Sequence, residues 1–384
     1  MSLRWLVLTI PLTGPLVAGG AISPAAPGAT PASPSGTFAE MLRTIPDDVL
    51  SADGTMITFT DTELMWERVE VGDDPTERAT FEPLRSLPVV ILPDLMNRDG
   101  LTDGDALRDE IGFDGYDIQR ALTAGAPPSE YEIIDIAVPG QSVEDAIHAD
   151  PVRSPDLQEL ATDAGRFFQW TDDPGSIDTT RRSTFRPFGQ GGTLAMIEDD
   201  PARLVRSYDA ADIEAALRAG EDGEPSVADD QFIAPILEAL DGRAVTQAIV
   251  QPRPTHLDVI APLVTPGTVP TDLDELETQV SALETGAIPI DGYLGIVIAE
   301  VLEGDNVQTE LFVIHLNGED ATANVDRINE HISSAVLTSG LPAADAFGGA
   351  EVVADGNIVR LLLPGEDAFS TMFKLLNQRA LLPM

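Results

Sequence analysis

The stretch DGYLGIVIAEVLEGDNVQTELFVIHLNG, residues 291–318, gives the clearest indication of how this chain folds. Two apolar runs flank the residues Gly304, Asp305 and Asn306, which are residue types that favour tight turns between strands. The stretch therefore predicts an antiparallel hairpin that turns across Asp305 and Asn306. A second hairpin is predicted in EVVADGNIVRLLLPG, residues 351–365, with Asp355 and Gly356 at its turn.

Helices are predicted around these two hairpins. Apolar residues recur at helical spacing in DATANVDRINEHISSAVL, residues 320–337, and in DAFSTMFKLLNQRA, residues 367–380. The first of these helices joins the two hairpins, and the second closes the chain.

The preceding half of the chain also contains predicted strands and predicted helices. Strands are predicted in EYEIIDIAV, residues 130–138, and in AVTQAIVQP, residues 244–252. Helices are predicted in DAADIEAALRAG, residues 209–220, and in DDQFIAPILEALDG, residues 229–242.

The alternation of tight hairpins with helices predicts an α+β fold. Two ferredoxin-like α/β sandwich modules, each an antiparallel sheet with helices on one face, satisfy the order of the elements. We expect a first α+β domain at residues 38–251 and a second at residues 286–384. A Pro-rich connection at residues 252–285 separates them, because proline and threonine replace the apolar periodicity there.

The first residues have the pattern of an export signal. MSLRWLVLTIPLTGPLVAGGAIS, residues 1–23, has a basic start at Arg4, an apolar run and then small residues suited to signal peptidase. We predict a signal peptide at residues 1–26, cleaved after Gly20 or Ala26, with an uncleaved anchor as the alternative. Residues 27–37 are rich in Ala, Pro and Ser and are expected to form an extended tether.

The charge balance restricts the possible partners. The 384 residues include 65 acidic and 22 basic side chains, for a formal net charge of −43. Such a surface repels nucleic acid and anionic lipid, so we expect no nucleic-acid partner, and membrane contact only through the N-terminal segment if that segment is uncleaved. The acidity fits adaptation to high salt better than codon bias alone. With no cysteine in the chain, disulfides, thiol catalysis and iron–sulfur clusters are excluded.

The segment DGLTDGDALRDE, residues 99–110, partly matches a calcium-binding loop. Asp99, Asp103 and Glu110 occupy positions 1, 5 and 12 of an EF-hand, with Gly104 at position 6. Position 3 is Leu101, which offers no side-chain oxygen. The alternative is a helix N-terminus that Thr102 or Asp103 caps. Calcium is the one cofactor that the sequence suggests.

One basic patch stands out in the acidic chain. Arg181, Arg182 and Arg186 lie beside a glycine cluster at residues 189–192, so their guanidinium groups could hold a carboxylate or phosphate group of a ligand or partner. The alternative is a loop whose arginines neutralise nearby aspartates. These three arginines are the candidate ligand-binding residues.

The sequence contains no complete catalytic motif among the patterns considered. Ser142 follows a strand and opens a helix in GQSVE, but Glu144 stands where a nucleophile elbow needs glycine, which favours a helix-capping role for Ser142. The four histidines are scattered and no two of them are three or four residues apart. No catalytic residue is therefore assigned.

The segments DAADIEAALRAG and SVADDQFIAPILEAL, with GNIVRLLLP near the C-terminus, resemble exported bacterial proteins of a domain-of-unknown-function family. The resemblance spans Phe113 to Met384. It implies export and repeated α/β units, and it implies no activity.

Together these features predict an exported, acidic, extracytoplasmic protein that is extracellular or associated with the cell envelope. We expect a non-catalytic binding or structural role with an unknown protein or small-molecule partner. The alternatives are a secreted carboxylate-dependent hydrolase and a calcium-dependent surface module.

Overall fold

The fold is taken from a computed structural model of the chain. The structure describes residues 34–51, 55–69, 89, 91, 104–126, 129–149, 157–170, 178–181, 191–197, 201–219, 224–252, 293–304, 306–337 and 342–377.

The predicted hairpin at residues 291–318 is confirmed. Strand β9 spans Tyr293–Glu303 and pairs antiparallel with β10, Asn306–His315, from Glu303 opposite Asn306 onwards. Residues 295–301 are all buried, so this strand has protein on both of its faces. Such strands read as continuous apolar runs instead of alternating ones.

The strands of the described residues form one sheet. They are β1 Met56–Asp61, β2 Ile118–Ala126, β3 Ser129–Ile136, β4 Leu157–Ala161, β5 Arg166–Trp170, β6 Gly192–Ile197, β7 Ala202–Ser207, β8 Ala244–Pro252, β9, β10, β11 Glu351–Asp355 and β12 Ile358–Pro364. Their spatial order is β11-β12-β10-β9-β8-β1-β2-β3-β7-β6-β5-β4, and every neighbouring pair is antiparallel.

The α+β class is confirmed, whereas the two ferredoxin-like modules are not. Strand β8 pairs with β1 on one side and with β9 on the other, so the sheet continues from one half of the chain into the other. Of the predicted connection at residues 252–285, only Pro252 belongs to the described residues, as the last residue of β8.

Helices cover both faces of the sheet. They are α1 Pro34–Arg43, α2 Thr62–Arg68, α3 Gly104–Ile111, α4 Gly140–Ala149, α5 Ala210–Arg218, α6 Ala234–Ala239, α7 Gly318–Ser334, α8 Ala343–Ala346 and α9 Ala368–Asn377. The first face, which carries Phe59 and Val205, packs against α1, α5 and α6 in one apolar core. The second face carries two cores, one with α2, α3 and α4 and the other with α7, α8 and α9.

Two predictions about the starts of helices need correction. Helix α1 begins at Pro34, inside the predicted tether, because proline fits the first turn of a helix. Helix α4 begins at Gly140, so Ser142 lies in its first turn and is not the capping residue.

The helix predicted at residues 229–242 is shorter in the structure. Its first residue, Asp229, is the last residue of a 3₁₀ turn at Val227–Asp229, and α6 begins only at Ala234. The carboxylate of Asp230 accepts hydrogen bonds from the amides of Phe232 and Ile233, which holds the chain in a turn between the two.

Gly112 ends α3 at a crowded point. Its φ of +86° lies in the left-handed region, and its amide bonds the carbonyl of Arg108 at 2.9 Å. A Cβ at this position would stand 2.3 Å from the carbonyl oxygen of Ser142 in α4. Glycine is therefore required both by the backbone conformation and by the close approach of α4.

Gly112→Ala is expected to destabilise the fold more than Gly242→Ala. Gly242 also has a positive φ, +74°, but a Cβ there meets no atom within 4 Å. The left-handed conformation costs each variant roughly 1–2 kcal/mol. The clash with Ser142 adds about 1–3 kcal/mol to Gly112→Ala alone. Urea unfolding of both variants measures the difference, and equal losses would contradict the packing of α3 on α4.

Candidate functional site

A row of alternating charges crosses the first face of the sheet. Asp61 on β1 stands opposite Arg120 on β2, Arg120 stands opposite Asp135 on β3, and Asp135 stands opposite Arg203 on β7. Because these residues are direct cross-strand neighbours, their side chains emerge on one face at one level of the sheet. We call these four residues the charged row.

Asp135 is the best-paired member of the charged row. Its side chain is 0% exposed, and Arg203 grips both of its oxygens, with Nε at 2.6 Å and Nη2 at 3.0 Å. Arg120 approaches the same carboxylate at 3.7 Å. Arg203 also donates to the hydroxyl of Thr44 at 3.0 Å, which ties the row to the turn that follows α1.

Asp61 is the least compensated member. Its carboxylate accepts from the amide of Leu64 at 2.9 Å and so caps α2, while Arg120 approaches at 3.4 Å. Burial raises the pKa of Asp61 to about 6, from an ordinary value of 3.8. The Leu64 amide and Arg120 oppose this shift only in part, and the nearby Glu63 carboxylate adds to it. We therefore expect the carboxyl group of Asp61 to exchange its proton near pH 6.

A second charged cluster lies on the same face, towards β12. Arg360 holds both oxygens of the fully buried Glu310, at 2.7 and 2.8 Å, and Arg243 contacts the same carboxylate. Burial alone would raise the pKa of Glu310, but the two guanidinium groups outweigh it and hold that pKa below its ordinary value. The stability that Glu310 contributes is thus present at neutral pH and lost in acid.

The second face holds a polar seam at the centre of the sheet. Glu300 on β9 accepts from Arg68 of α2 at 2.8 Å and from the hydroxyl of Thr246 at 2.8 Å. Beside it, the amide of Gln247 accepts from the backbone of Ile91 at 2.9 Å and donates to the carbonyl of Val89 at 3.3 Å. Glu300 thus binds α2 to the sheet, and Gln247 binds Val89 and Ile91 to it.

A recess opens on the second face near the end of β7, with room for about one water molecule. It is lined by Thr123, Glu130, Glu132, Arg206, Ser207 and Tyr208. Inside it, Arg206 donates to Glu132 at 2.7 Å, and both side chains are buried. The recess therefore contains an ion pair that already satisfies its own charges.

Of the three predicted calcium ligands, only Glu110 belongs to the described residues. Glu110 lies in the last turn of α3 and is partly buried, while Asp99 and Asp103 lie outside the described residues. A helix is present over Gly104–Ile111, and the capping predicted for Thr102 or Asp103 lies outside the described residues. Within the part of the chain that the structure describes, no three His, Asp or Glu side chains are placed to share a metal ion. Calcium binding stays a prediction.

The predicted arginine patch falls largely outside the described residues. Arg181 is the last residue of a 3₁₀ turn, Thr179–Arg181, and Arg182 and Arg186 lie beyond it in the undescribed part. At the start of the turn, the carboxylate of Asp178 accepts from the amide of Thr180 at 3.0 Å. Anion binding by these arginines stays a prediction.

Two histidines are buried in the C-terminal part of the fold. His315 at the end of β10 lies 3.3 Å from the amide nitrogen of Asn324 in α7. His331 lies further along α7 with its ring edge-on to Phe347, and among the described residues neither of its ring nitrogens has a hydrogen-bond partner. Burial lowers the pKa of His331, so it is neutral at neutral pH.

Sequence reasoning missed the buried acids. Asp135, Glu300 and Glu310 each interrupt an apolar strand, in IIDIAV, IAEVLE and TELFVI. Because the chain has 65 acidic residues, composition does not distinguish these three from the others. The usable signal is an acid inside an apolar run, because a strand buried on both faces leaves such a carboxylate no route to solvent.

The chain has only distant similarity to proteins of known structure. No protein-family model and no curated protein matches the chain. Among solved structures it is similar to crystal form III of TP0453, with 10% identity and a TM-score of 0.33, over 86% of this chain and 98% of that one. Crystal form IV of the same protein has 10% identity and a TM-score of 0.35, over 85% of this chain and 96% of that one. A likeness this low carries no argument about function. Among the described helices, none combines the length and apolar character needed to cross a bilayer.

Asp61→Asn is expected to flatten the pH dependence of stability. A raised pKa means that the contribution of Asp61 is fully present below about pH 4 and is lost as pH rises through about 6. The loss amounts to about 3 kcal/mol for a shift of this size. Asparagine keeps the cap on α2 but does not ionise.

Denaturant unfolding between about pH 4 and pH 7 measures this effect. The matched control is Asp209→Asn, because Asp209 caps α5 in the same way, through the amide of Ala211, but is exposed. If Asp61→Asn and wild type show the same pH profile, Asp61 does not titrate as its burial implies.

Proposed function

We propose that this chain is an exported, acidic, extracytoplasmic protein that acts without catalysis, as a binding or structural scaffold of the cell envelope. The observation that carries the proposal is how the structure uses its buried carboxylates. Asp135, Glu132, Glu300 and Glu310 each contact arginine across or beside the sheet. Carboxylates held in this way stabilise a fold, whereas a hydrolase needs an acid or base directed towards substrate.

The surface chemistry supports the same proposal. The excess of acid over base gives a net charge of −43, and such a surface stays dispersed in salt-rich surroundings outside the cytosol. A partner for this surface carries basic groups, since acidic partners and nucleic acid are repelled.

The N-terminal segment supports the export step. Its basic start, apolar run and small residues have the order that secretion requires, and the Ala/Pro/Ser-rich residues 27–33 precede the first described helix. We propose that residues 1–26 direct export and that the segment before α1 is a tether between the membrane and the folded body.

We also retain the ferredoxin-like arrangement as a proposal for the C-terminal half. Two hairpins, β9–β10 and β11–β12, are joined by α7 and followed by α9. Strand β12 lies between β10 and β11 and is antiparallel to both. The unit β10-α7-β11 is therefore a split β-α-β unit, which is the building element of ferredoxin-like sheets.

Leu8→Arg is expected to abolish export. A charge in the middle of the apolar run opposes insertion into the secretion machinery. Fractionation of the source cells should place the wild type outside the cytosol and the variant inside it. Mass spectrometry of the wild type should find a mature N-terminus after Gly20 or Ala26.

Ala32→Arg, which adds the same charge to the tether, serves as the control and is expected to export normally. Full-length wild-type protein in the cytosol would overturn the export proposal.

Stability is expected to rise with salt. Mutual repulsion of surface carboxylates opposes folding, and at about 1 M salt the screening length falls to about 3 Å. The melting temperature in sodium chloride and in potassium chloride should therefore increase alike across the molar range, while sucrose at matched osmolality should not reproduce the initial rise. A flat or falling response to both salts would count against adaptation to high salt.

A further inference from the structure

Strand β11 ends the sheet with an open edge. It pairs with β12 on one side, and no described strand pairs with it on the other. Glu351, Val353, Ala354 and Asp355 are all exposed, so the edge is accessible along nearly its whole length. Exposed strand edges are templates for the addition of another extended chain.

The register shows which backbone groups of β11 point outwards. The β11–β12 hairpin closes with Asp355 opposite Ile358 across Gly356 and Asn357, and this closing pair exchanges both backbone hydrogen bonds. Bonded and unbonded pairs alternate along antiparallel strands, so Val353 and Glu351 also bond to β12. The amide and carbonyl groups of Val352 and Ala354 therefore face away from the sheet.

The side chains of β11 alternate in character along its first face. Glu351, Val353 and Asp355 alternate along the strand and share the first face, in the order acid, valine, acid. Val353 stands opposite Arg360, whose guanidinium is already engaged with Glu310. The charge that β11 presents is therefore negative on both sides of one exposed apolar side chain.

From this arrangement we infer that β11 receives an extended basic segment of another protein by strand addition. The added strand bonds the backbone groups of Val352 and Ala354. It places basic side chains opposite Glu351 and Asp355 and an apolar side chain opposite Val353. The inference rests on the proposed binding function and names the chemistry of its partner.

Charge decides between this partner and a second copy of the chain. Two copies would bring together net charges of −43 each, and their β11 strands would place acid against acid or acid against valine. A basic segment meets complementary charge at the same positions.

The opposite edge of the sheet provides an internal comparison. On β4, the carboxylate of Glu159 is already bound by Arg166 at 2.9 Å. The amide of Thr162 bonds the carbonyl of Gly165 at 2.9 Å, so by the same alternation the backbone groups of the exposed Ala161 face outwards. Ala161 and Ala354 are therefore matched positions at the two ends of one sheet.

The test measures binding of a short fluorescent peptide to the purified full-length chain. In the peptide, arginine, valine and arginine occupy alternate positions with threonine between them. Anisotropy titration should show saturable binding that weakens as salt is added. Ala354→Pro should weaken binding about tenfold or more, because it removes an outward donor and its ring blocks the approach of the added strand.

Ala161→Pro should leave the affinity unchanged, since it makes the same change at the β4 edge. Both prolines replace outward-facing amides, which a sheet edge tolerates, and thermal melts of the two variants verify that each remains folded. Glu351→Gln with Asp355→Asn should weaken binding and reduce its salt dependence without altering the backbone.

Several results would overturn the inference. They are equal binding by wild type and Ala354→Pro, equal binding of a peptide with glutamate in place of arginine, and equal binding of a peptide N-methylated at the bonding positions. Dimers of the chain that Ala354→Pro abolishes would assign the edge to a second copy instead. Because the titration uses purified protein, its outcome is independent of the export experiment.

Discussion

An ionised carboxylate inside a sheet needs a cation beside it, and this requirement governs much of the structure. Removing one partner of a buried pair leaves an uncompensated charge, which costs about 3–5 kcal/mol. The chain has only 22 basic residues for 65 acids, yet it places arginines beside its buried acids. The arginines beside the buried acids that lie on strands are Arg68, Arg120, Arg203, Arg206, Arg243 and Arg360. The result is a sheet that is neutralised inside and strongly negative outside.

The same pairs also fix the register of the strands. A slip of one residue between β3 and β7 would carry Arg203 to the other face and leave Asp135 in the apolar core of the first face. Two carboxylates in these clusters, Asp61 and Glu310, respond to acid in opposite directions. Asp61 is stabilised by taking up a proton as pH falls through about 6, whereas Glu310 loses the stability that its two arginines provide. Mild acid therefore protonates Asp61 before it weakens the ion pairs of Glu310 with its two arginines.

The sequence predicted local elements better than it predicted their assembly. Both C-terminal hairpins and the helix between them are confirmed, because apolar runs, turn residues and helical spacing are all local signals. Strand β2 escaped prediction, since Arg120 and Thr123 interrupt its apolar pattern and their roles appear only beside β1 and β3. The pairing of β8 with both β1 and β9 is also non-local, so a two-module arrangement and one continuous sheet look alike in the sequence. The charged row stayed hidden for the same reason: Asp61 and Arg203 are far apart in the chain and meet only through two intervening strands.

The most direct measurement of the structural role of these pairs is a double-mutant cycle on Asp135 and Arg203, read as the free energy of unfolding. Arg203→Met should destabilise the protein by about 3–5 kcal/mol, because it strips the fully buried carboxylate of Asp135 of its closest partner. Adding Asp135→Leu to that variant should recover most of the loss, since the uncompensated charge is then gone. A single Arg203→Met variant as stable as the wild type, or a double variant no more stable than the single one, would contradict the account.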